Sequence, residues 1–241
     1  IAKSTSCVYL KSNNRPIWGM MSWNDLNLKY DQEGFQRSCS WLLTNLLTSL
    51  VFQHYCMICT SVAARYTVNQ MAATTSIAPG KVGVIDHFGC ENATGLLLED
   101  SDGTMLSSHW ERKVVGAEYM TASNAKNSFM SRFTLALLES TGWYRSVNYK
   151  YAEPTYWGRG KGCSMLDINN CNPVPEFCST TGFLCDFDGT GLGVCKVDIF
   201  SNCKISKYFT NTICTDPNFP IKNLNKKMDA KEEGGAESRC F

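Results

Sequence analysis

Histidine is scarce: His54, His87 and His109 are the only three in 241 residues. No His-Glu dipeptide occurs, so nothing in the chain reads as a helix carrying two histidines one turn apart with a glutamate base between them. An excess of charge of either sign is also lacking. With 23 basic against 22 acidic residues the net charge is +1, which excludes the basic footprint of a nucleic-acid binder. The longest helical apolar stretch makes roughly three turns, too short for a bilayer that takes about 20 residues. No signal peptide leads the chain, which begins at Ile1, and no apolar tail for a lipid anchor follows Cys240 and Phe241. A fragment or processed piece with no legible anchor is the expectation.

Cysteine, by contrast, is abundant. Of thirteen in the chain, seven lie between Cys163 and Cys214 in a stretch rich in Gly, Asn and Thr, the pattern of a disulfide framework made in an oxidising compartment. An extracellular or secretory setting follows. A zinc ribbon is the rival reading, but Cys163, Cys171, Cys178, Cys185, Cys195, Cys203 and Cys214 never form paired Cys-x-x-Cys knuckles. The sequon Asn92-Ala93-Thr94 agrees with secretion.

The chain is long enough for one or two domains. Residues 15–23 are mostly apolar and run into Asn24-Asp25, which predicts a strand and a turn. From Trp41, the residues Leu42, Leu46 and Leu50, with Leu43, Leu47 and Val51, recur at helical spacing and predict an apolar core helix. Residues 60–79 are small and polar without periodicity and read as loop. Residues 133–140 predict a packed helix closed by a glycine cap at Gly142. From Asn148 on, Pro, Gly and Cys dominate, which places a boundary there. The stretch from Lys222 to Arg239 is charged, lacks aromatics and is expected to be disordered.

The run Ser108-His109-Trp110-Glu111-Arg112, followed by Glu118-Tyr119-Met120-Thr121, resembles the leishmanolysin family of zinc metalloendopeptidases, in which a third zinc-binding histidine sits in a His-Trp-Glu run and a methionine turn follows. The likeness continues through Thr134-Leu135-Ala136-Leu137-Leu138-Glu139, Gly142-Trp143-Tyr144, Tyr151-Ala152-Glu153-Pro154, Trp157-Gly158-Arg159-Gly160 and Lys161-Gly162-Cys163. Upstream, Arg15-Pro16-Ile17-Trp18-Gly19 and His87-Phe88-Gly89-Cys90 also match.

The resemblance implies an α+β fold. A zincin-like (metzincin) catalytic portion over 1–147 would precede a Cys-rich, loop- and β-rich C-terminal domain over 148–221 and a charged tail over 222–241. It implies one Zn2+ ion, with His109 as a ligand and Met120 as an apolar floor beneath it, and a metal-bound water whose pKa the ion lowers. Protein or peptide substrates follow, at the cell surface or outside the cell.

The family also needs a His-Glu-x-x-His helix, and the sequence as written has none. One imidazole is not a zinc site, and no glutamate is positioned to take a proton from water. His87 reads as scaffold within its His-Phe-Gly-Cys run, and His54 lies beyond the helix. The helix itself suggests a cause. Thr44-Asn45-Leu46-Leu47-Thr48 can be encoded as ACG-AAC-TTA-CTC-ACN, which after a preceding C reads CAC-GAA-CTT-ACT-CAC, or His-Glu-Leu-Thr-His. In the same shifted frame the codons from Leu50 to Met57 permit Gly-Phe-Ser-Thr-Leu-Leu-Tyr-Asp, with the glycine three residues past the second histidine. A displaced frame from about Ser38 into the loop after Cys59, restored before His87, is therefore expected. On this reading Cys56-Met57-Ile58-Cys59 is an artefact or an incidental disulfide partner, and no βαβ redox unit surrounds it.

Two functions compete: a zinc metalloendopeptidase, and a catalytically inactive secreted or surface module that binds proteins or matrix on the same scaffold. Trp143, Tyr144 and Trp157 are expected in packing rather than in substrate contact. Glu111 and Glu118 read either as residues that orient a ligand or as surface acids.

Overall fold

A computed structural model describes residues 2–12, 15–23, 70–71, 83–93, 95–99, 109–122, 125, 127–140, 143–144, 146–167, 169–171, 176–179, 181–199, 203–214, 235, 238 and 240. Strand β1 (Ala2–Tyr9) pairs antiparallel with β2 (Pro16–Trp23) in a register that runs from Ala2↔Trp23 to Tyr9↔Pro16. Pro16 opens β2, where a missing N–H interrupts no ladder. The helix expected over 41–51, His54 and the Cys56/Cys59 pair lie outside the described residues, as does Gly142.

Within the stretch expected to be loop, Gln70–Met71 forms β3 and pairs antiparallel with β4 (Leu96–Leu97). That expectation fails at these two residues because strand pairing is set by a partner remote in sequence rather than by local periodicity. Helix α1 (Val84–Phe88) ends at Gly89, whose φ of 69° lets its N–H close back on the Ile85 carbonyl at 2.8 Å. Helix α2 (Arg112–Val115) is a single turn, capped by the Glu111 side chain accepting from Lys113 N at 3.1 Å.

Helix α3 (Arg132–Ser140) starts where the Ser131 hydroxyl accepts from Thr134 N at 3.3 Å, and it buries Phe133 and Leu137 one turn apart. Short 3-10 turns follow at Tyr149–Tyr151 and Cys163–Met165. Strands β5 (Phe183–Cys185), β6 (Gly191–Val197) and β7 (Lys204–Ile213) form an antiparallel meander in sequence order. The chain is α+β, with helices and antiparallel strands both built into it.

Four disulfides join described residues: Cys90–Cys163, Cys171–Cys203, Cys178–Cys195 and Cys185–Cys240. The last reaches into the stretch read as an unstructured tail and bonds it to β5, while Gly235 N donates to the Cys214 carbonyl at 3.0 Å. One apolar cluster runs from Phe88, Leu96, Leu98 and Trp110 through Met120 and Leu137, across position 148, to Met165, Phe177 and Ile205. Among the described residues no helix is long and apolar enough to cross a membrane.

The Trp157-Gly158-Arg159-Gly160 run owes one glycine to this core. Gly158 has φ +69°, and a Cβ there would sit 2.7 Å from Phe88 Cε1 and 2.9 Å from Met165 Cγ. Gly158→Ala is therefore expected to cost about 2–3 kcal/mol in a denaturant titration, part left-handed strain and part overpacking. A change below roughly 0.5 kcal/mol, within the range of ordinary surface substitutions, would show that the two side chains give way freely.

Candidate functional site

Trp110 forms isolated bridges to a neighbouring segment on each side. On one side Glu99 N donates to the His109 carbonyl at 2.9 Å and Glu111 N to the Leu97 carbonyl at 2.9 Å; on the other, Trp110 N donates to the Met120 carbonyl at 2.8 Å. The pairing is antiparallel at Leu98↔Trp110 and parallel at Trp110↔Thr121. His109 and Met120, eleven positions apart in the chain, are thus brought together through the backbone of Trp110. Side chains alternate along a strand, and Trp110 turns its fully buried indole toward α3, where Nε1 donates to Thr134 Oγ1 at 2.9 Å.

The turn that carries Met120 is organised by Glu118. This carboxylate is fully buried and accepts from Met120 N, from Ser131 N at 3.2 Å, from Ser131 Oγ at 2.9 Å and from Thr134 Oγ1 at 2.6 Å. The Thr134 hydroxyl accepts from the Trp110 indole N–H and donates to Glu118, so helix α3, the methionine turn and the bridged segment at Trp110 share one polar chain. Burial pushes the Glu118 carboxyl up, and its four donors pull it partly back. Met120 itself is fully buried.

Surface placement of Glu111 and Glu118 is overturned, since they are 1% and 0% exposed. The reason is that each has backbone N–H groups to accept: Lys113 N for Glu111, and the set above for Glu118. Sequence reasoning did not reach Arg112, whose guanidinium meets Asp198 at 3.2 Å and lies 4.4 Å over the Phe187 ring. Asp198 also takes Lys207 of β7 at 2.7 Å. Lys113, 1% exposed, extends its ammonium to the Asp167 carbonyl and its own carbonyl to Trp157 Nε1 at 2.9 Å. Charged residues in a short apolar-flanked run are legible as partners only when the facing strands are known.

Trp157 packs edge-on against Phe177 and Phe187, and Tyr144 lies under Arg15, with the guanidinium carbon 5.3 Å from its ring. Among the three histidines, His87 holds the Trp157 carbonyl through Nε2 at 2.8 Å and touches the Phe88 and Phe133 rings. Burial pushes the His109 imidazole down to about 4, so at pH 7 it is neutral and keeps a lone pair. His87 is also held below its ordinary value, first by burial and then by Arg159, with the Trp157 carbonyl opposing.

Acid is therefore expected to destabilise the fold. Unfolded imidazoles take up a proton near pH 6.5, roughly their ordinary value, while the folded ones decline it, so stability is lost as pH falls from there toward about 4. Unfolding free energy measured from pH 7 to 4.5 should fall, and His87→Gln should make the fall shallower. An unchanged slope in that variant would remove His87 from the account.

Among the described residues no three His, Cys, Asp or Glu side chains are grouped so as to hold a metal ion. The described donors do not complete a zinc site around His109.

A family model described as Leishmanolysin matches residues 1–219. The leishmanolysin-like peptidase of Drosophila melanogaster is 45% identical over 81 residues, which is 33% of this chain and 12% of that protein. The ciliated left-right organizer metallopeptidase of Danio rerio is 34% identical over 163 residues, 64% of this chain and 26% of its own length. The leishmanolysin homolog of Crithidia fasciculata is 29% identical over 120 residues, 46% of this chain and 18% of its own. The chain spans only between an eighth and about a quarter of these relatives' lengths.

Proposed function

The chain belongs to the leishmanolysin family, and from that premise we propose that it is part of a secreted or cell-surface zinc metalloendopeptidase in which His109 is a metal ligand and Met120 the apolar floor beneath the ion. The observation that supports this reading most directly is the bond from Trp110 N to the Met120 carbonyl, which draws the backbone next to His109 against the methionine turn. The remaining ligands and the glutamate base are supplied by the displaced reading frame across 44–48. The zincin arrangement and cleavage of protein substrates by a metal-activated water belong to that intact product. The four disulfides are in keeping with an extracellular setting.

A second reading rests on the sequence: with three histidines and no His-Glu dipeptide, the chain as written is a non-catalytic module that binds proteins. Metal analysis separates the two. The oxidised chain should hold well under one zinc per molecule, and the combination Thr44→His, Asn45→Glu and Thr48→His should raise this to about one. Adding His109→Ala should lose it again, along with any chelator-sensitive proteolysis. Zinc that survives His109→Ala removes the imidazole from the ligand set. A transcript whose codons across 44–48 cannot spell the two histidines ends the frame hypothesis.

A further inference from the structure

One motif of the sequence has no part in the metal chemistry: Asn92-Ala93-Thr94, the single Asn-x-Ser/Thr triplet of the chain. Its asparagine lies in the turn between α1 and β4. Ala93 N donates to the Cys90 carbonyl at 3.0 Å, which closes a β-turn with Glu91 and Asn92 at its two central positions. The ends of that turn are held inward, since Cys90 is 3% exposed and bridged to Cys163, and Ala93 is 8% exposed. Its tip faces outward: Glu91 and Asn92 are both exposed.

This placement suits one modification. A sugar on an asparagine is bulky and hydrophilic, so its attachment point must be a surface position. A substituent on Asn92 Nδ2 displaces nothing from the core, because the buried positions of the turn belong to the residues on either side. Ala93 keeps the triplet competent where a proline would block it. Timing favours the transfer as well, since it acts on a chain entering the secretory compartment. The bridge that ties down Cys90 needs Cys163, made 73 positions later, so the acceptor is presented before the bond beside it can close. The related run Asn169-Asn170-Cys171 offers a sulfur in place of a hydroxyl, and that sulfur is committed to Cys203.

We infer that Asn92 carries an N-linked oligosaccharide that projects into solvent from the tip of the Cys90–Ala93 turn. The donor is a lipid-linked oligosaccharide diphosphate. Asn92 Nδ2 forms a bond to C1 of its first sugar, the bond from C1 to the diphosphate oxygen breaks, and the lipid diphosphate leaves with the electron pair. Nδ2 gives up one proton, and nothing is oxidised or reduced. The inference rests on the secretory setting proposed above and not on the metal site.

The test is expression of the full chain behind a cleavable secretory leader in a eukaryotic cell, followed by mass spectrometry of the product. A single oligosaccharide per chain is expected. Its release by a peptide amidase in heavy-oxygen water should leave an isotope-labelled aspartate at position 92. Asn92→Gln and Thr94→Ala should each abolish the modification, and Thr94→Ser, which keeps the hydroxyl, should retain it. These variants are read on newly made chain in cell lysates, so none of them has to fold. The native, oxidised glycoprotein should also be retained by a mannose-binding lectin column. An oxidised, secreted chain without sugar would overturn the inference and leave the secretory setting standing. A chain that enters the compartment and stays reduced would sink both. Sugar that survives Asn92→Gln, or lectin retention only after denaturation, would equally overturn the assignment.

Discussion

Glu118→Ala is expected to lower the free energy of unfolding by about 4–6 kcal/mol, enough to leave a marginally stable chain largely unfolded. Four donors converge on that carboxylate, and two of them, Met120 N and Ser131 N, are backbone groups that cannot turn elsewhere. Each buried N–H left without an acceptor costs roughly 1–3 kcal/mol. The void left by the side chain adds to this, and the Thr134 hydroxyl loses its acceptor while still receiving the Trp110 indole N–H. Glu118→Gln keeps one acceptor oxygen and should cost about half as much, while its amide group faces donors it cannot serve. Guanidinium titration followed by near-ultraviolet circular dichroism, which reports the packing of buried tryptophans such as Trp110, gives the ranking. If the alanine variant stays within about 1 kcal/mol of the parent, the size of an ordinary substitution, the polar chain from α3 to the methionine turn is not what holds that turn.

Removing the Cys90–Cys163 bridge by Cys90→Ala with Cys163→Ala should cost about 4 kcal/mol, the chain-entropy value for so long a loop. The two cysteines are 73 positions apart and enclose β4, Trp110, the methionine turn and α3. Their crossing is reinforced by Gly160 N donating to the His87 carbonyl at 2.8 Å and Gly162 N to the Phe88 carbonyl at 2.6 Å, so the native state should survive without the bond. The effect should therefore appear as a melting temperature lowered by roughly 10 °C, with near-ultraviolet signals unchanged below the transition. Loss of those signals at low temperature would mean that the bridge shapes the folded state rather than restricting the unfolded one.

What could be read from the letters alone, and what could not, divides along a physical line. The disulfide framework was legible because seven cysteines crowded between Cys163 and Cys214, without the paired spacing of a metal knuckle, leave cross-linking as the chemistry they serve. Helix α3 was legible because Phe133 and Leu137 repeat at a helical interval within one segment. The pairing of β3 with β4 was not, because neither two-residue strand carries a pattern and each is specified by the other. Glu118 was left open between a ligand-orienting and a surface acid for a related reason. An acid in a run of mixed polarity looks solvated until Ser131 and Thr134 arrive from the next element to bury it.

The covalent map of the β5–β7 sheet also defines which mispairing oxidation must avoid. Cys178–Cys195 lies inside the span of Cys171–Cys203, and both can close once position 203 has emerged from the synthesis machinery. Cys185 sits within both loops, yet its mate is Cys240. Capture of Cys185 by Cys178 or Cys195, close in sequence, is therefore the defined error that thiol–disulfide exchange would have to undo.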